Sequence, residues 1–148
     1  MNFECPAERN MMNHGLEILS RTVRYQILDQ GQIIDLSLKD YIEWETNNPL
    51  SRVVGKTYYE THGLCLSTVF IRTMVLSPAL PEFPEPPFET LLWSTKGKTF
   101  EKVLAGMRYR SYEEAAAGHE KLKKGFDKGA ELGLGLEGMR EIFGRSFV

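Results

Sequence analysis

Apolar and polar residues alternate along several stretches of this chain, and a period of two predicts β-strands. In Thr22–Leu28, three apolar side chains alternate with polar ones, which is typical of a half-buried strand. Turn residues follow, and Ile33-Ile34 are expected to begin a short return strand. The segments Arg52–Tyr59 and Leu64–Val75 are rich in β-branched and aromatic residues on either side of a glycine-containing turn, so they predict a hairpin.

The middle of the chain predicts two further strands, Phe88–Trp93 and Met107–Arg110. Residues 94–106 combine turn and polar residues with scattered apolar ones, and the pattern leaves their form open. Pro78–Pro87 contains five prolines. Because proline lacks an amide donor and favours an extended backbone, this segment is expected to be a loop or connector.

A first helix is expected to begin at Ser37, whose hydroxyl can cap the free amides of the first turn. The residues 47–49 (Asn-Asn-Pro) should end it, because the residue before a proline avoids helical geometry. The apolar positions of this helix predict one buried stripe, made of Leu38, Tyr41, Ile42 and Trp44.

A second, longer helix begins after Ser111, which forms a capping box with Glu114. Steps of three and four residues give it one apolar face, made of Tyr112, Ala115, Ala116, His119, Leu122 and Phe126. Gly125 and Gly129 are expected to weaken its end. A short amphipathic segment follows, expected to dock on its own domain or on a partner.

These elements predict an α+β fold, with an antiparallel sheet of about four to six strands and a C-terminal helix packed on one face. The predicted organisation is an N-terminal extension (1–21), a single α+β domain (22–129) and an apolar C-terminal tail or short helix (130–148).

The amino-acid composition predicts the class of protein and its cellular compartment. The chain has 148 residues, 42% of them hydrophobic, and a net charge of −2, which together predict one soluble domain and argue against a dedicated nucleic-acid binder. Residues 64–76 form the longest apolar stretch, but polar residues interrupt it, so no membrane contact is expected. Two cysteines are too few for a disulfide scaffold, and the expected location is the cytoplasm.

Several short motifs resemble known sites and fail on spacing. Gly55-Lys56-Thr57 and Gly97-Lys98-Thr99 lack the glycine that a phosphate-binding loop places five residues earlier. His119-Glu120 begins like a zinc-protease helix, but the second ligand position is Lys123. The sequence therefore predicts neither a metal nor a cofactor.

His119 has two interpretations, because it lies on the apolar face of the long helix. It is either a core histidine bonded to a neighbouring group or an imidazole that contacts a ligand at the mouth of the sheet.

The candidate ligand-binding residues are His119, Glu89, Thr90, Thr68, Arg108 and Tyr109. The candidate partner-binding residues are Phe83, Leu136, Met139, Ile142 and Phe143. Arg108-Tyr109-Arg110 alternates basic and aromatic side chains, as a surface that binds single-stranded nucleic acid can. An edge strand with solvated arginines is the preferred interpretation.

Four segments together suggest a family: Leu66–Phe70 (LSTVF), Pro86–Thr90 (PPFET), Arg108–Ala115 (RYRSYEEA) and Ala117–Glu120 (AGHE). In this order the chain resembles a group of small uncharacterised proteins encoded by bacteriophages and prophages, over about residues 22–126. The chain departs from that pattern at 72–87, where it is proline-rich and has no histidine. The resemblance implies a phage-associated origin and no established reaction.

Three functions follow as hypotheses. The first is a non-enzymatic binding protein in the bacterial cytoplasm that engages a host protein, such as a defence component, or sequesters a small molecule. The second is a small hydrolase or nucleotide-processing enzyme with a pocket near His119, and the third is a virion or assembly component. A homodimer formed through the C-terminal tail is also considered.

Overall fold

The computed structural model describes residues 23–71, 74–76 and 86–146, and it has an α+β architecture with two antiparallel sheets. The first sheet has the strand order β2-β1-β5, formed by β1 (Val23–Asp29), β2 (Gln32–Leu36) and β5 (Met74–Leu76). The second has the order β3-β4-β6-β7, formed by β3 (Val53–Tyr59), β4 (Leu64–Phe70), β6 (Phe88–Lys96) and β7 (Thr99–Tyr109). The predicted fold class is confirmed.

Three helices complete the described fold: α1 (Leu38–Asn47), α2 (Tyr112–Glu131) and α3 (Leu136–Arg145). The predicted N-terminal caps form at α1 and at α2. The Ser37 hydroxyl accepts from the Asp40 amide at 3.2 Å, and the Ser111 hydroxyl accepts from the Glu114 amide at 3.1 Å. In the described part of the chain, no helix is long and apolar enough to cross a membrane.

The predicted long strand Leu64–Val75 is divided between the two sheets. β4 ends at Phe70, and β5 pairs with β1 in the other sheet. The chain therefore leaves the second sheet after Phe70 and enters the first at Met74. The apolar composition of the predicted strand does not mark this change of sheet.

Residues 94–106, whose form the sequence left open, belong to a hairpin. β6 and β7 are joined at Gly97-Lys98, where Gly97 adopts a φ of 63° that a side chain would disfavour. The pairing shifts register between Leu92 and Trp93 and again between Ser94 and Thr95. Because each shift interrupts the period of two, the sequence pattern hides the long strand, and the predicted strand at 107–110 is only its end.

The predicted buried stripe of α1 is wrong, because no residue of this helix is buried. Leu38 and Ile42 are 49% and 55% exposed. Of the predicted stripe, Tyr41 does contact the first sheet: its ring lies 5.5 Å from that of Tyr25, although it is not buried there.

The main core lies between the second sheet and α2. One apolar cluster contains Leu64, Leu66, Leu92, Leu122, Phe126, Met139 and Phe143. A second, towards the start of α2, contains Leu28, Phe70, Phe88, Tyr109 and Ala115. Helix α3 therefore docks on its own domain. Met139 and Phe143 were expected to contact a partner, and the structure corrects this by burying both in the first cluster.

The glycines near the end of α2 have a packing role that the sequence did not indicate. The helix continues through Gly125 and Gly129 to Glu131. A Cβ atom at Gly129 would lie 2.8 Å from Cδ1 of Ile142, and one at Gly125 would lie 2.9 Å from its Cγ2. The missing side chains let α3 approach α2 closely, which offsets the low helix propensity of glycine.

Candidate functional site

A buried polar network connects α2 to the middle of the second sheet. The His119 ring is 4% exposed. Its Nδ1 atom lies 2.7 Å from Oγ1 of Thr68, and its Nε2 atom lies 3.1 Å from Oγ1 of Thr57. Oγ1 of Thr68 lies 2.5 Å from Oγ1 of Thr90 on the neighbouring strand. These residues project from β3, β4, β6 and α2, so four elements meet at one polar cluster.

Tyr109, at the end of β7, joins the same side of the sheet. Burial raises the pKa of its hydroxyl, and a hydrogen bond with Thr90 opposes that increase in pKa. The ring packs against Gly118, where a Cβ atom would lie 2.6 Å from Cε1 of the tyrosine. Glycine at position 118 is therefore required for the helix to lie this close to β7.

The structure brings together four of the six predicted ligand-binding residues: Thr68, Thr90, Tyr109 and His119. It adds Thr57, which the sequence analysis noted only as part of a failed phosphate-loop motif. A signal was present: Thr57 lies two residues before Tyr59, so the period of two places both on the face that meets α2. The sequence alone does not show that Thr57 and His119, which are 62 residues apart, are in contact.

The other two predicted residues, Glu89 and Arg108, lie on the opposite face of the sheet. Glu89 precedes the buried Thr90 on β6, and successive residues of a strand point to opposite faces. Glu89 pairs with Arg108 across the β6–β7 register, with the arginine Nε atom 3.3 Å from the carboxylate. Glu89 and Arg108 therefore do not converge with His119, the residue beside which a hydrolase pocket was expected.

Burial lowers the pKa of His119, so its neutral form is favoured. Glu120 raises this pKa and Lys123 lowers it, and both effects are smaller than that of burial. A neutral imidazole has one donor and one acceptor nitrogen, and threonine hydroxyls can match either. Since both nitrogens face a hydroxyl, the geometry favours a core histidine that holds α2 to the sheet over a general base.

An open groove lies beside this network, between the edge strand β3 and helix α2. Its volume is about 280 Å³. The lining residues are Val54, Gly55, Lys56 and Thr57 from the strand and Ala116, His119, Glu120 and Lys123 from the helix. Among the described strands, β3 pairs only with β4, so its other edge faces the groove. The groove therefore combines the edge of a strand that no other described strand covers, a few small or apolar residues and the charged side chains of Glu120 and Lys123.

The predicted partner-binding residues lie in different environments. Phe83 lies outside the described residues. Leu136 is 45% exposed at the start of α3, whereas Ile142 packs against the two glycines of α2. Only Leu136 among the four described ones presents a large exposed surface.

Within residues 23–71, 74–76 and 86–146, no three histidine, cysteine, aspartate or glutamate side chains come together as metal ligands. Comparison of the chain with protein-family models, curated proteins and solved structures gave no match.

Proposed function

We propose that this protein is a non-enzymatic binding protein that takes an extended segment of a partner protein into the groove between β3 and α2. The single observation that carries the proposal is the groove itself, bounded on one side by a strand edge that no other described strand pairs with and on the other by a helix. An extended peptide can add to such an edge through main-chain hydrogen bonds while its side chains contact the helix.

The shape of the groove favours a peptide over a small molecule. Pockets for small ligands enclose most of the ligand and usually have about 300–1,000 Å³. This groove is at the lower limit of that range and lies open along the strand. A peptide needs only the strand edge and a few side-chain contacts, which an open groove provides.

The charged side chains at the groove do not select one sign of ligand charge. Lys123 and Glu120 place one positive and one negative charge on the helix wall. Lys56 lines the groove from β3, but its ammonium group lies on the other face of the sheet, 4.8 Å from the centroid of Phe100. The β3 strand bulges between Val53 and Gly55, which limits regular pairing of a further strand to the residues after the bulge. The expected ligand is therefore a short extended peptide that pairs with β3 after the bulge.

The resemblance to phage and prophage proteins supports a proposal about the partner. On that basis the peptide would belong to a host protein, such as a defence component, in the cytoplasm of an infected bacterium.

A selection from a random peptide library tests the proposal, because such a library presents many short sequences whichever protein is the partner. The selected peptides should share side chains at alternate positions, because in a bound strand every second residue faces the groove. On binding, the backbone amides of Gly55–Tyr59 should shift in NMR spectra and exchange more slowly with solvent.

Two matched variants locate the binding site. Ala116→Arg introduces a long side chain into the wall of the groove, whereas Ala117→Arg places the same side chain on the exposed side of the helix. We expect the first to abolish peptide binding and the second to leave it unchanged. Equal binding by both variants, or NMR shifts confined to another surface, would contradict the proposal.

A further inference from the structure

A second surface of the same sheet has a different chemistry. On the face opposite α2, the strand register sets Tyr58, Cys65 and Trp93 side by side on β3, β4 and β6. Phe100, from the start of β7, packs over this row. Its ring centroid lies 5.2 Å from that of Trp93 and 6.2 Å from that of Tyr58, with an angle of 5° to the tyrosine ring. Tyr58, Trp93 and Phe100 form what we call the aromatic platform.

Two lysines border the aromatic platform. Nζ of Lys56 lies 4.8 Å from the centroid of Phe100 and 5.4 Å from that of Tyr58. Nζ of Lys98, in the β6–β7 turn, lies 6.0 Å from the centroid of Tyr58. In the described part of the chain, no salt bridge includes either lysine. Their charges are therefore not neutralised by a described carboxylate.

The described helices leave this face of the sheet uncovered. Helix α2 packs against the other face, and α1 contacts the first sheet. Phe100 is 37% exposed, and Tyr58 and Trp93 are half-buried. Aromatic rings thus reach the surface together on a sheet face, within a few ångströms of two ammonium groups.

We propose that the aromatic platform and its two lysines bind single-stranded nucleic acid. Unpaired bases stack on aromatic side chains of sheet surfaces, and lysines contact the phosphates between them. An acidic peptide would satisfy the lysines but would make little specific use of three adjacent rings. The net charge of −2 does not oppose this proposal, because phosphate contacts depend on the local charge of the binding surface.

Fluorescence anisotropy with labelled oligothymidylate and oligouridylate of about ten nucleotides tests the proposal. Both should bind at low salt, and binding by only one would identify DNA or RNA as the ligand. With two phosphate contacts, the logarithm of the association constant should fall against the logarithm of salt concentration with a slope of about −1.4.

Two single substitutions test the contribution of the aromatic ring and that of the lysine charge separately. Phe100→Leu keeps an apolar side chain over Cys65 but removes the ring, and it should weaken binding at least about fivefold. Lys98→Gln should change the salt slope to about −0.7, whereas the control Lys128→Gln on the exposed side of α2 should leave it unchanged. Lys56 is not substituted, because it also borders the groove.

Three results would overturn the proposal: unchanged binding by Phe100→Leu, equal binding of duplex DNA, or equal binding of polyglutamate. The aromatic platform and the groove share Lys56, but Phe100 belongs only to the platform and Ala116 only to the groove, so variants of these two residues test the two proposals separately. Ala116→Arg should retain oligonucleotide binding, and Phe100→Leu should retain peptide binding.

Discussion

Gly55 and His119 are in direct contact across the interface between β3 and α2. A Cβ atom on residue 55 would lie 2.6 Å from Cδ2 of the imidazole and 2.8 Å from its Nε2. The ring cannot move away easily, because hydroxyls of Thr57 and Thr68 hold its two nitrogens. The absence of a side chain at residue 55 is therefore what allows the histidine to reach the sheet.

This contact predicts the effect of Gly55→Ala. The added methyl group overpacks the interface and should destabilise the protein by about 1–3 kcal/mol in urea unfolding. The matched control is Gly144→Ala, at an exposed position of α3 where a Cβ atom meets nothing within 4 Å. Because alanine is the better helix former, this variant should be more stable by up to about 1 kcal/mol. Equal effects of the two variants would contradict the packing described for Gly55.

The lowered pKa of His119 predicts a pH dependence of stability. The ordinary pKa of 6.5 applies to the unfolded chain, and burial places the folded-state pKa below it. The unfolded state therefore binds more protons between these two pKa values. The stabilising effect should be complete above pH 6.5 and should decrease as the pH falls towards the folded-state pKa, by about 1.4 kcal/mol for each unit of pKa difference.

Urea unfolding over this pH range measures the dependence. His119→Gln removes the titrating ring and should flatten the curve below pH 6.5. A curve for this variant as steep as that of the unsubstituted protein would assign the pH dependence to other groups.

The docking of α3 predicts unequal effects of two substitutions in the same helix. Met139 is fully buried, so Met139→Ala should destabilise the protein by about 2–5 kcal/mol. Leu136 is 45% exposed, and Leu136→Ala should change stability by no more than about 0.5 kcal/mol. Thermal or urea unfolding of both variants checks this difference. If Met139→Ala were as mild as the control, α3 would not be part of the core.

The aromatic platform predicts the reactivity of Cys65. This thiol is fully buried, and burial raises its pKa, so the reactive thiolate is disfavoured. In a Cys5→Ser background, Phe100→Ala should speed modification by a thiol reagent about tenfold or more, because it removes the ring packed over the row. Leu132→Ala, at an exposed position directly after α2, is the control and should have no effect. Slow modification of both variants would show that Phe100 does not protect the thiol.

Local sequence features determined most elements of this protein. Ser37 and Ser111 mark helix starts because a hydroxyl satisfies a free amide within the same few residues. Alternation marks β1, and β-branched and aromatic residues mark β3 and β4, because these side chains fit a pleated surface. His119 was identifiable as a candidate because it is a polar residue on the apolar face predicted for the long helix, whereas Thr68 and Thr90 lie in the segments LSTVF and PPFET that carry the family resemblance.

Only the tertiary structure decided how these residues are used. His119 and Thr68 are 51 residues apart, and His119 and Thr57 are 62 apart. Their contact depends on the register of β3 against β4 and on the close approach at Gly55. In β7, irregular pairing removed the periodic signal, and in α3 the burial of Met139 depends on the glycines of α2. A sequence pattern reports which side of an element is apolar, whereas the partner of that side is decided by long-range packing.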